Sequence, residues 1–174
     1  PKNRYELTRA MEWAVAYDGP IAIKYAIGQA YYGLKDYNEP VEYGKSEILR
    51  EGSEIALVAV GNMVEETEKL YNRFLQEGRQ VTFVNARFIK PLDKEMIDHL
   101  AETHKLIVTI EEGILHGGYG ALVEEYLESK ASDVKVLPIA IEDTFVRHGS
   151  VEELRKMLKI DAESIYRRIR DIME

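Results

Sequence analysis

The chain has 174 residues, 45% hydrophobic and 31% charged, with 23 Lys and Arg against 31 Asp and Glu for a net charge of −8. That size suits one domain, or one domain with part of another, and that balance excludes a disordered chain and a broad nucleic-acid footprint. There is no cysteine, so disulfides, thiolate chemistry and cysteine-held zinc are excluded together. No stretch approaches the ~20 apolar residues of a membrane-spanning helix, so a cytoplasmic protein without membrane or nucleic-acid partners is expected. Pro1 stands where methionine would and reads as the start of a processed chain or of a piece of a longer one.

Asn3 with Glu6 three residues later has the form of a capping box. Leu7, Ala10, Met11, Ala14 and Val15 follow at helical spacing, which predicts an amphipathic helix over 3–17. Asp18-Gly19-Pro20 ends it, and Ile21, Ala22, Ile23 and Tyr25 predict a short strand closed by Gly28. From 29 to 52 the pattern is lost, with Tyr31, Tyr32, Tyr37 and Tyr43 scattered among glycines and charges. This predicts a connecting segment laid over a surface, since a free linker would leave its rings in water; a ligand-stacking platform is the functional alternative.

Beyond residue 54 strands and helices alternate. Apolar runs predict strands at 55–60, 81–84, 106–110 and 134–141. Helical spacing predicts helices over 63–75, with Asn62 as cap and Gly78 as stop, over 93–103 with Asp93 as cap, and after the turn Gly117-Gly118-Tyr119-Gly120. Two short helices finish the chain, one opened by a Ser150–Glu153 capping box and one by Asp161 between Ile160 and Ile165 as a hydrophobic staple. Strands apolar on both sides that alternate with helices imply an α/β fold: a three-layer sandwich around a mostly parallel sheet of about five strands.

Ligands in such folds sit at the carboxyl ends of strands, so Asn85, Arg87 and Lys90 in the stretch 80–93 are candidates. Glu111 and Glu112 end the third strand of this series, but neighbours on a strand point to opposite faces and are poorly placed as an acid–base pair; capping or interface hydrogen bonding suits them better. The glycine turn looks like a phosphate cradle yet lacks a dinucleotide fingerprint or a Walker lysine, so close helix–sheet packing is the stronger reading. His99, His104, His116 and His148 lie on separate elements without metal-ligand spacing. His148, just before a helix start, is placed to meet an anion or a partner surface.

Several stretches together resemble the carboxyl-terminal part of the 1-deoxy-D-xylulose-5-phosphate synthase family. They are 18–25 (Asp-Gly-Pro-Ile-Ala-Ile-Lys-Tyr), 48–52 (Ile-Leu-Arg-Glu-Gly), 86–93 (Ala-Arg-Phe-Ile-Lys-Pro-Leu-Asp), 109–113 with 117–120, and His148-Gly149-Ser150 with Glu152-Glu153-Leu154. Transketolase and the β subunits of 2-oxo-acid dehydrogenases share some of these features. The resemblance implies that residues 1–28 are the end of a pyrimidine-binding domain, 29–45 a connecting segment, and 46–174 a transketolase-type C-terminal domain that supports dimer and domain assembly. It implies thiamine diphosphate and magnesium as cofactors of the full-length enzyme, bound by upstream domains and not by this chain, which alone is expected to be inactive. Pyruvate and glyceraldehyde 3-phosphate would be the substrates, and a homodimer with the upstream domains of the same protein the assembly. One departure stands out. Where the family reads Arg-Tyr-Pro-Arg-Gly, this sequence has Lys24-Tyr25-Ala26-Ile27-Gly28. Lys24 is therefore the candidate for the substrate phosphate, as a point charge and not a bidentate fork. Arg87, by the same resemblance, organises an interface and does not touch substrate.

Overall fold

The computed structural model describes residues 1–173. They run as α1 (Arg4–Ala16), β1 (Glu47–Arg50), β2 (Glu54–Ala59), α2 (Met63–Gln76), β3 (Thr82–Asn85), α3 (Lys94–Thr103), β4 (His104–Ile114), α4 (Tyr119–Ser129), β5 (Lys135–Ile141), α5 (Val151–Met157) and α6 (Ala162–Met173). The strands form one sheet in the order β1-β3-β2-β4-β5, with β1 antiparallel to β3 and every other pair parallel.

The register aligns Phe83, Leu57, Val108 and Leu137 in a row across four strands. Their side chains share one face and meet Leu70 and Phe74 of α2 and Ile165, Tyr166 and Ile169 of α6. Val58, Val84 and Ile107 point the other way, onto Ile97 and Leu100 of α3 and Val123 and Leu127 of α4. Each such burial contributes about 1.5–3 kcal/mol, and because both faces are covered the strands read as unbroken apolar runs. The three-layer α/β sandwich inferred from those runs is the architecture found.

The local punctuation explains most boundaries. Asp93 accepts from the Met96 amide at the start of α3, and Ser150 and Glu153 complete both halves of a capping box at α5. Asp161 accepts from the Ser164 amide at the start of α6, with Ile160 and Ile165 buried on either side. Gly120 brings α4 against the sheet: a Cβ there would lie 2.6 Å from Thr109 Oγ1 and 2.9 Å from Pro138 Cβ.

Four expectations are corrected. Residues 21–25 are not a strand; they lie outside the sheet as extended coil with Ile21 and Tyr25 exposed, because an isolated segment has no ladder to join. The fifth strand is instead Glu47–Arg50, an edge strand whose charged ends conceal it in the sequence. The apolar stripe of α1 does not face the core: Met11 is 49% and Val15 90% exposed. Finally, Asn62 occupies the cap position of α2 but turns its side chain away to Glu112, and Glu6 completes only half a capping box, since its carboxylate accepts from the Lys2 amide.

Candidate functional site

From β2 the chain crosses to β3 on one side, and from β4 to β5 on the other, so the order of strands reverses between β2 and β4. The carboxyl ends of strands at such a reversal leave a crevice, the usual ligand position in open α/β sheets. Here it holds a cleft of about 760 Å³. Its floor is Val60-Gly61-Asn62 after β2, residues 87–91 after β3, and Glu111-Glu112-Gly113 on β4. Its opposite wall is the Glu6, Ala10, Trp13 and Tyr17 side of α1 with residues 20–26.

Lys24 and Arg87, far apart in sequence, both line this cleft, as do Glu111 and Glu112; His148 does not. Lys24 is exposed on the coil wall, with no ion-pair partner among the described residues. Ile27, the other departure from the family motif, projects wholly into solvent. His148 is exposed in the loop before α5, beside the Ser150 cap. Lys90 is exposed at the rim, whereas Asn85 is fully buried.

The two glutamates diverge as strand neighbours must. Glu111 is buried, and its Oε1 accepts from the Gly120 amide at 2.9 Å, at the N-terminus of α4. The glycine turn is shaped around that carboxylate: a Cβ at Gly113 or Gly118 would come within 2.6 Å of a Glu111 oxygen. An anion is already in place where a phosphate would otherwise bind. Glu112 accepts from Asn62 and, at 3.3 Å, from Arg155 Nε of α5. Arg155 also pairs with Glu66 of α2, which accepts from the Ala162 amide that opens α6. Glu112 thus ties a strand end to three helices on the opposite face from Glu111.

Arg87 carries a backbone φ of +37°, unusual for a residue with a Cβ, and a side chain only 6% exposed. Its Nε lies 2.8 Å from Glu6 Oε1 and its Nη2 2.8 Å from Glu47 Oε1, while Nη1 and Nη2 also donate to the carbonyls of Pro40 and Glu39. Lys2 Nζ bridges the same two carboxylates, at 3.1 Å from Glu6 and 2.6 Å from Glu47, and Asn85 Nδ2 donates to both. Burial pushes the Glu6 carboxyl upward, but Lys2, then the terminal amino group of Pro1 and then Arg87 together outweigh it and hold the group below the usual carboxylate range. Lys2, Glu6 and Glu47 were not legible as a site, because their partners lie up to 81 residues apart. The one sequence signal was Glu6, Ala10, Trp13 and Tyr17 falling on a single helical stripe.

The tyrosines of the connecting segment divide: Tyr31 and Tyr37 are half-buried, whereas Tyr32 and Tyr43 are more than half exposed. Tyr37 lies against the core with Arg50 over its ring at 4.5 Å, and Tyr31 donates to Glu68. Tyr43 joins Trp13, Tyr17 and Phe88 in an aromatic stack on the cleft wall.

Residues 44–165 match the family described as transketolase, C-terminal domain. The chain belongs to that family. As a transketolase C-terminal domain it shares its fold with a split gene transketolase solved as an inactive β4 tetramer, at a TM-score of 0.87 and 21% identity over 98% of this chain and 55% of that one. Its curated relatives include 1-deoxy-D-xylulose-5-phosphate synthases. That of Lachnoclostridium phytofermentans is 43% identical over 97% of this chain and 27% of its own length. That of Heliobacterium modesticaldum is 38% identical over 100% and 27%, and that of Clostridium tetani 33% over 99% and 28%. The chain therefore spans little more than a quarter of the curated relatives it matches.

Proposed function

We propose that the chain is the C-terminal part of a 1-deoxy-D-xylulose-5-phosphate synthase, a thiamine-diphosphate-dependent transferase that joins a two-carbon unit from pyruvate to glyceraldehyde 3-phosphate. The observation that carries this is the 43% identity to such a synthase over 97% of the chain, which extends across α1 and the connecting segment as well as the family domain. On this reading residues 1–28 end a pyrimidine-binding domain, 29–45 connect, and 46–174 form the assembly domain. The stripe of exposed Met11 and Val15 with half-buried Leu7 and Ala14 is then the seat of the upstream domains, and the assembled protein is a homodimer working in the cytoplasm.

Thiamine diphosphate supplies the electron sink for decarboxylation when bound. The donor set of this chain does not suit that group or its magnesium. Around the cleft, Glu6 is neutralised by Lys2 and Arg87, Glu111 is spent on the α4 amide, and Glu112 on Asn62 and Arg155. No cluster of three carboxylate or histidine ligands occurs among the described residues. The cofactor belongs to the upstream domains, and this chain alone is inactive.

What the chain contributes to the reaction is Lys24, a cation on the cleft wall that holds the acceptor's phosphate. Arg87, Glu111 and Glu112 act by holding the cleft's shape, and His148 lies toward a partner surface. In the full-length protein, Lys24→Ala is expected to raise KM for glyceraldehyde 3-phosphate about tenfold or more, the scale of one charge-assisted hydrogen bond, with KM for pyruvate unchanged. An unchanged KM for the phosphorylated aldehyde removes Lys24 from the site.

A further inference from the structure

Two contacts fasten α1 to the strand ends, and neither uses its apolar stripe. The first is the buried cluster of Lys2 and Glu6 with Glu47, Asn85 and Arg87, in which the four charged side chains are 1–6% exposed. Two cations meet two carboxylates, so the cluster is neutral only when complete. The second is an aromatic cluster, the stack, in which Trp13 lies face to face with Tyr17 at 4.8 Å and Tyr43 at 6.1 Å and meets Phe88 edge-on at 5.6 Å, ring centre to ring centre. Glu6 and Trp13 are seven residues apart, about 10 Å along the helix axis, so α1 is pinned to the strand ends at two separate points. Its first turn is also tied to the connecting segment, by Asn3 Nδ2 donating to the Gly33 carbonyl at 2.9 Å and the Arg4 amide to that of Tyr31 at 3.1 Å. Below Ala16 it runs through Asp18-Gly19-Pro20 into the coil that carries Lys24 and completes the cleft wall.

We infer that the cluster of Lys2, Glu6, Glu47, Asn85 and Arg87 is a latch that holds α1 and residues 20–26 as a movable wall and so sets the aperture of the cleft. Apolar ring contacts, stacked or edge-on, tolerate small displacements, whereas a buried cluster of hydrogen-bonded charges is satisfied in one arrangement and penalised in others. The cluster therefore fixes where the wall stands, and the stack follows. Segments held by few apolar contacts open with free energies well below that of the whole domain, and α1 is such a segment. Because α1 leads directly into Lys24, the latch also positions that cation, but the wall's movement is independent of what binds there.

Trp13 is the only tryptophan, so its emission reports the wall directly. In this 174-residue chain, Glu47→Gln removes one charge from the sheet side of the latch without altering α1. The expected result is a red shift of Trp13 emission, greater quenching by acrylamide, and amide exchange in 4–16 faster by about tenfold or more, with amides of 55–59 and 106–110 unchanged. If the α1 amides keep their protection, the cluster is not the latch. If α1 and the sheet loosen together, or the variant does not fold, the cluster belongs to the global core and the inference fails. Tyr43→Ala, which cuts only the stack, separates the two contacts: exchange near Glu6 is expected to stay slow while Trp13 becomes accessible, and the reverse order overturns the assignment.

Discussion

At His104 a neutral imidazole is built into the sheet's amino end. The Gly52 amide donates to Thr82 Oγ1 at 3.0 Å, which leaves the hydroxyl proton for His104 Nε2 at 2.7 Å; Nδ1 then donates toward Thr103 Oγ1 and the Leu100 carbonyl. Burial lowers the pKa below its ordinary value, more than the Leu100 carbonyl restores it. An unfolded chain with an ordinary histidine pKa of about 6.5 therefore binds a proton that the folded one resists. Stability from this group is complete above about pH 6.5 and is lost as pH falls toward the folded-state pKa. Urea unfolding at pH 7.5 and 5.5 is expected to show a larger loss for the unsubstituted chain than for His104→Asn; equal losses would mean the imidazole is not destabilised by folding. Glu111 acts on the same scale by a different means. Glu111→Ala strands the buried Gly120 amide and is expected to cost about 1–3 kcal/mol, read from the urea midpoint.

Whole elements show what a sequence can and cannot disclose. The four parallel strands and helices α2 to α6 were legible because each carries its own periodicity, reinforced at α3, α5 and α6 by a side-chain cap. Strand β1 was not, since Glu47 and Arg50 frame only two apolar residues, and its place was decided by pairing with β3. Helix α1 was legible as a helix but not in its orientation. Its apolar stripe marks an amphipathic helix but names no facing element, while burial goes to Glu6, whose partners are set by tertiary contacts no local pattern encodes. The candidate site divides the same way: the strand-end residues were found from topology, but their joining to α1 through Lys2 and Glu47 was not. The orientation of α1 is open to test. Met11→Lys with Val15→Lys is expected to leave the stability of this chain within about 0.5 kcal/mol, because both side chains meet water. In the full-length protein the same pair, placed against the upstream domains, is expected to lower the unfolding temperature. A strong loss in the isolated chain would show that the stripe is covered after all.

For the molecule as a whole, the fold supplies a switch-point cleft whose carboxylates are already engaged by the protein's own cations and amides. The net charge of −8 disfavours a diphosphate at long range, and the helix N-terminus nearest the glycine turn is already occupied by Glu111. Lys24, on the wall that the latch holds in place, and Lys90, at the rim, are the exposed cations of the cleft, two separate point charges and not a bidentate fork for a diphosphate. Titrating thiamine diphosphate and magnesium into this chain is accordingly expected to give no binding heat, and mixing the chain with its upstream domains to restore it. A clear signal from the chain alone would place cofactor-binding groups within it. Heat restored by the upstream domains and diminished by Glu47→Gln would show that the position of α1, and not merely the presence of the C-terminal domain, completes the site.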